Sequence, residues 1–180
     1  MIEVLAALLL LVWPDAALAQ SQQPYAGLEQ RPVKALSEQQ IADLKAGRGM
    51  GLALPAELNG YPGPSHVLEN ADALGLTVEQ RARTKMLFDA MKADALPVGE
   101  RLIELEAKLD AMFAKREITP ANLTASTQEI GIIQARLREA HLKYHLVMMT
   151  VLTPAQVGRY QELRGYRAKN DGPQHHPHRH

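Results

Sequence analysis

The chain of 180 residues contains no cysteine. That excludes disulfides, thiolate metal ligands and a cysteine nucleophile. Aromatic residues are scarce as well: two Phe, five Tyr and one Trp. So few large side chains argue against a large globular core. An excess of either charge is missing too. Twenty Lys and Arg balance twenty Asp and Glu, which leaves no electrostatic footprint for nucleic acid. Catalytic motifs are also lacking. No Ser sits in a nucleophile elbow. The segment GRGMG at 47–51 is followed by LALP and carries no Lys-Ser/Thr, so it is not a phosphate loop. HLKYH at 141–145 has two His four apart but no Glu after the first, unlike a zinc-protease helix. The chain does not read as an enzyme.

What is present favours helix: Leu, Ala, Glu, Gln, Lys and Arg dominate. The first nineteen residues, MIEVLAALLLLVWPDAALA, carry an apolar run from Val4 to Trp13 and end in Ala17-Leu18-Ala19. This is the pattern of an export signal cleaved before Gln20. The segment before the apolar run holds Glu3 and no Lys or Arg, so an uncleaved anchor is the alternative. Cleavage would remove Glu3 and Asp15 and no base, giving a mature chain of net charge +2. The expected compartment is the periplasm.

Residues 20–64 read as a mobile lead-in, a short helix over 38–46, and a Gly/Pro-rich stretch over 47–64. That stretch also carries Met50, Leu52, Leu54, Leu58 and Tyr61, so it is expected to be an ordered loop packed on something. Another short helix is expected over 65–74, closed by Gly75. A long helix then runs from Val78 to about Lys115. Its apolar stripe is Leu87, Met91, Ala95, Val98, Leu102, Leu105, Leu109 and Met112. Pro97 and Gly99 predict a kink or a brief break. A second long helix opens at Pro120 and runs to about Thr150, with the stripe Leu123, Ile130, Ile133, Leu137, His141, Tyr144 and Met148. A last helix covers 154 to about 167. Residues 169–180 form a His-rich tail whose composition predicts disorder. The fold class expected is all-α: a long antiparallel helical hairpin over 65–168 with short flanking helices. One hairpin buries little surface, so a curved homodimer is the expected assembly.

Three helix starts share one pattern. They are Leu36-Ser37-Glu38-Gln39-Gln40, Leu76-Thr77-Val78-Glu79-Gln80 and Leu152-Thr153-Pro154-Ala155-Gln156. Each is a capping box: the hydroxyl accepts from the third helical amide, and the Gln side chain reaches back to the cap residue's own amide. The two strict Leu-Thr-x-x-Gln copies flank the hairpin. On these motifs, the export signal, the hairpin length and the closing Gln161-Glu162-Leu163-Arg164-Gly165-Tyr166 segment, the chain resembles the exported Leu-Thr-x-x-Gln proteins related to Spy, CpxP, ZraP and the metal sensor CnrX. The resemblance covers about residues 65–167. It implies an all-helical, curved hairpin dimer in the periplasm. It also implies one of three roles: an ATP-independent holding chaperone, a modulator of stress signalling, or a metal-binding sensor. The stretch 47–64 does not map onto the better-known members.

His141, His145 and Met149 share one helix face and offer two imidazoles and a thioether. Such donors suit Zn, Ni, Co or Cu, as a bound ion that is not obligatory for folding. A hairpin turn centred near residue 117 sets Met149 opposite Met86 and brings Asp89 and Asp94 near the same level. If Gly75 folds the preceding helix back, His66 arrives beside His145 and Met149, with Glu69 one turn away. The combination is similar to that in CnrX, where His, Glu and Met ligands come from different helices. His141 falls on the apolar stripe and reads first as a packing residue, while His145 and Met149 stand at its edge and read as the better ligands. The tail adds His175, His176, His178 and His180, which can associate with metal loosely. Met86, Met91, Met112 and Met148 read as core filler or as an adaptable surface for unfolded clients. The leading expectation is a periplasmic stress protein that binds or responds to heavy metals. A holding chaperone for unfolded proteins is the alternative, and an accessory modulator of a membrane sensor or efflux system the second alternative.

Overall fold

A computed structural model describes residues 24–167. The expected export signal and the histidine tail lie outside the described residues. Among these residues the chain is all-helical: a 3-10 turn at Leu28–Gln30, then α1 (Glu38–Lys45), α2 (Leu54–Glu57), α3 (Pro64–Glu69), α4 (Val78–Ala114), α5 (Pro120–Val151) and α6 (Pro154–Leu163). The long helices α4 and α5 pack against each other as a hairpin. None of the described helices is long and apolar enough to cross a membrane.

Local chemistry sets the helix starts. Ser37, Thr77 and Thr153 each accept from the amide three residues on, and Gln40, Gln80 and Gln156 reciprocate. A fourth box, Thr119 with Asn122, opens α5 behind Pro120. Each cap satisfies amides that would otherwise lack a partner, worth about 1 kcal/mol. The stripes hold along most of their length, but Val98, Leu109 and Met112 are only half-buried and Leu123, expected on the α5 stripe, is exposed near the hairpin turn. Leu87, Met91, Ala95, Leu102 and Leu105 on α4 are buried, as are Ile130, Ile133, Leu137, His141, Tyr144 and Met148 on α5. Asp94 pairs with Lys143 and Tyr144, and Arg101 with Glu129, which fixes the hairpin register.

Three boundaries differ from expectation. First, α4 runs unbroken through Pro97. Pro97 lies on the exposed face, where the carbonyl that its ring displaces can tilt to water. Gly99 faces α1 instead: a Cβ there would stand 2.9 Å from the Leu44 carbonyl oxygen. Gly99 thus serves close helix contact rather than a break. Second, α3 stops at Glu69. The His66 carbonyl accepts from both the Asn70 amide at 3.2 Å and the Asn70 side chain at 2.8 Å, and the next amide, that of Ala71, bonds back to Leu68 rather than to Val67, which ends the helix. Third, α6 stops at Leu163. Gly165 takes φ +72, and the amides of Gly165 and Tyr166 bond back to Glu162 and Gln161 in a Schellman turn. The lead-in also contributes to packing, since Val33 and Leu36 are buried in the core.

Two apolar clusters hold the molecule. One joins Val33, Leu36 and Leu44 to Ala95, Leu102 and Leu105 of α4 and to Ile130 through Ala140 of α5. The other joins Val67 and Leu74 to Leu87 and Met91 of α4, to Tyr144 and Met148 of α5, and to Leu152 and Tyr160. Along α5 the first cluster ends at Ala140 and the second begins at Tyr144. His141 and His145 sit at that junction.

Candidate functional site

The stretch 46–63 crosses the hairpin at this junction as a strap, and beneath it lies a cavity of about 570 Å³. Its walls come from the strap (Met50, Leu54, Glu57), from α3 (His66), from α4 (Phe88, Met91, Lys92), from α5 (His141, His145) and from the turn after α6 (Arg164, Tyr166). This volume and this mix of apolar walls with a few polar groups suit a small ligand or an ion.

Glu57 is the centre of the polar wall. It is only 5% exposed, and a buried carboxylate needs partners. Its Oε1 accepts from the Tyr160 hydroxyl, from the Tyr166 hydroxyl at 3.2 Å, and lies 3.3 Å from Arg164 Nε and 3.3 Å from His66 Nδ1. Burial and the bond to Glu57 push the Tyr160 hydroxyl far above its ordinary range. Burial opposes the charge of Arg164, but its contacts with Tyr166, Tyr160 and Glu57 outweigh that and hold it protonated. The Schellman turn after α6 puts Arg164 and Tyr166 where they meet the strap. Glu57 Oε2 is different: it is buried and has no hydrogen-bond partner, with His145 Nδ1 3.9 Å away.

The two α5 histidines are buried, His141 at 2% and His145 at 6% exposure. His145 Nδ1 stands 2.7 Å from the Tyr61 carbonyl. A carbonyl only accepts, so Nδ1 carries a hydrogen there. Gly63 lies against the Cε1–Nε2 edge of the ring, where a Cβ would stand 2.7 Å from Cε1 and 3.0 Å from Nε2. His141 has its Nε2 buried and unpaired. Burial first, and the neighbouring His145 second, lower its pKa and favour the neutral ring. Met50, on the strap, adopts φ +45, a left-handed conformation that is strained for a side chain of this size.

The fold therefore brings His66, His141 and His145 to one cavity, with Glu57 between His66 and His145. α3 packs on α4 and α5, and His66 meets Glu57 at 3.3 Å, on the other side of that carboxylate from His145. His145 is buried rather than at an exposed edge, because the strap covers it. Other expected donors go elsewhere. Glu69 is exposed and accepts from Ser65 at 3.2 Å. Met149 is 38% exposed and does not line the cavity. Asp94 is held by Lys143 and Tyr144, bonds that lower its pKa. Asp89 pairs with Lys85. His175, His176, His178 and His180 lie outside the described residues. Among the described residues no group of three or more His, Asp or Glu is placed to hold a metal ion. Of the methionines read as a client surface, Met86 is exposed and Met112 half-buried, whereas Met91 and Met148 are core residues.

Sequence reasoning missed Glu57, Met50, Tyr160, Arg164 and Tyr166. Glu57 offered one signal, an acid set among Leu54 and Leu58 in a loop expected to pack. The paired motifs Leu76-Thr77-x-x-Gln80 and Leu152-Thr153-x-x-Gln156 meet at the open end of the hairpin. Gln80 donates to Gln156 Oε1 at 2.8 Å, and Gln156 donates back to Gln80 Oε1 at 2.9 Å. The same amides reach the Val151 and Leu74 carbonyls. Each motif thus caps its own helix and ties it to the other. Comparison with known proteins returns no match to a family model, a curated protein or a solved structure.

Proposed function

We propose that this chain is a periplasmic stress protein of the Spy/CpxP type that binds a transition-metal ion in the cavity under the strap. One observation carries the reading. His141 and His145 are buried four residues apart on α5, both line the cavity, and the His141 Nε2 has no partner within the protein. Imidazoles one helical turn apart are ordinary ligands for Zn, Ni, Co or Cu. The Tyr61 carbonyl orients His145 from behind, as outer partners do for metal-binding histidines. The ion would act by stabilising the closed strap through mass action.

The test is calorimetric titration of the full chain carrying His175, His176, His178 and His180→Ala, so that the tail is silent. Saturable binding of one ion per chain, lost in His145→Ala, is expected. An unaltered isotherm in that variant removes the reading. A second reading, a holding chaperone, is favoured by exposed Met86, Leu146 and Ile132, which are 54–61% exposed on the hairpin. A homodimer that covers them, or an unfolded client, would bury this surface. Failure to slow aggregation of a reduced, unfolding client at equimolar protein would exclude it.

A further inference from the structure

We propose that the cavity under the strap takes a small organic carboxylate, with its anionic head on Lys92 and an apolar body among the side chains around it. The inference goes beyond the metal-binding reading and does not depend on it. Charge on the cavity walls carries the argument. Apart from the histidines, the charged groups there are Arg48, Glu57, Lys92 and Arg164. Arg48 is paired with Asp43. Arg164 and Glu57 stand 3.3 Å apart and offset each other. Glu57 Oε2 is buried, so it does not meet a ligand in the cavity. Lys92 is left over. The acids nearest to it along α4 are engaged elsewhere, Asp89 with Lys85 and Asp94 with Lys143. Its ammonium lies 5.9 Å from the centre of the Phe88 ring instead. Among the described residues, this half-buried cation at the cavity wall has an aromatic face but no counter-ion.

The other walls define the rest of the ligand. Met50, Leu54, Phe88 and Met91 line the cavity, and such side chains suit an aromatic or aliphatic body. One uncompensated cation matches one negative charge. A phosphate monoester would bring nearly two, and an amine would meet Lys92 as a like charge. The strap supplies donors as well. Gly49, Met50 and Gly51 line the cavity, and their amides have no acceptor among the described residues. Met50 and Gly51 are both left-handed, at φ +45 and +82. Successive amides in such turns form concavities that favour an anion. The strap also lies directly on Lys92: a Cβ at Gly47 would stand 3.7 Å from Lys92 Cα. The unpaired amides therefore begin two residues along the strap from its contact with the unpaired cation.

The experiment is calorimetric titration of the full chain, stripped of metal on a chelating resin, with 4-phenylbutyrate as the probe. Its neutral amide and the matching amine are the comparison ligands. One carboxylate per chain is expected, bound about tenfold more tightly than the amide, with the amine weakest. Lys92→Met keeps an apolar stem and removes the charge. It should weaken the carboxylate by about tenfold and leave the amide unchanged. In amide-resolved NMR spectra of the unsubstituted protein, Gly49 and Gly51 should shift on titration, a readout that does not depend on any variant folding. Three results overturn the inference: no saturable binding of the carboxylate, equal affinity for carboxylate and amide, or carboxylate affinity indifferent to Lys92→Met. Shifts confined to residues outside the strap and α4 place the probe elsewhere and overturn it too. No metal enters these titrations, so their failure leaves the metal-binding reading standing, and loss of that reading leaves the carboxylate site standing.

Discussion

The link between Glu57 and Tyr160 joins residues 103 apart in sequence and pins the strap to α6. Its worth can be worked from the surroundings. Tyr160 is fully buried, and Glu57 accepts from its hydroxyl. In Glu57→Ala that hydroxyl is left buried and unpaired, which costs about 1–3 kcal/mol. The same change deprives Arg164 of its carboxylate. The Arg164 side chain is 29% exposed, so solvent screens it and the loss adds about 0–1 kcal/mol. The total expected is about 1–4 kcal/mol. Tyr160→Phe removes the donor but leaves Glu57 with Tyr166 and Arg164, so it should cost less, about 1–2 kcal/mol. In the double variant the orphaned hydroxyl is gone. The two changes should therefore be less than additive, with a coupling of about 1–2 kcal/mol. Urea denaturation followed by circular dichroism, with linear extrapolation, measures all four corners of the cycle. In thermal melts each kcal/mol corresponds to about 2–4 °C for a chain of this size. Additivity within about 0.5 kcal/mol would refute the argument, because it would mean that the two side chains do not depend on each other. Glu57→Gln keeps an acceptor for Tyr160 and should recover most of the loss.

Other outcomes follow from the same contacts. The folded protein keeps His141 neutral at pH values where the unfolded chain, with a His of ordinary pKa near 6.5, takes up a proton. Stability should hold above that value and decline as pH falls below it. His141→Gln should flatten this part of the profile, as read from denaturation midpoints between pH 7.5 and 5, and an unchanged profile would assign the slope to another group. Gly63→Ala drives a methyl to 2.7 Å from the His145 ring and should cost about 1–3 kcal/mol; proteolysis of the strap should quicken, and unaltered cleavage kinetics would contradict the contact. Gln80→Ala and Gln156→Ala break the same reciprocal pair. Each should destabilise by about 1–2 kcal/mol, and the double variant should cost less than the sum; additive losses would show that the motifs act only as separate caps.

What was legible in the sequence was local. Ser37, Thr77 and Thr153 announce helix starts because a cap and its partner Gln lie three residues apart, and the α4 and α5 stripes follow from periods within a single helix. Pro97 misled because its local rule, that proline breaks a helix, yields where the ring faces solvent and Gly99 is taken up by contact with Leu44. The Glu57 cluster was invisible for the opposite reason. Its partners Tyr160, Arg164 and Tyr166 lie beyond the whole hairpin, and nothing near Glu57 in the chain shows that a Schellman turn at Gly165 will deliver them. His145 shows the limit from the other side. On α5 alone it stands at the edge of the stripe, and only the strap makes it a core residue. Yet the strap did carry a trace of that contact in its composition. A Cβ at Gly49 would stand 3.4 Å from His141 Nδ1, and one at Gly63 would stand 2.7 Å from His145. The glycines that make 47–64 look like a linker include those that let its backbone lie against the two histidine rings. A Gly-rich stretch that also carries Leu and Met is therefore better read as a cover fitted to bulky side chains elsewhere.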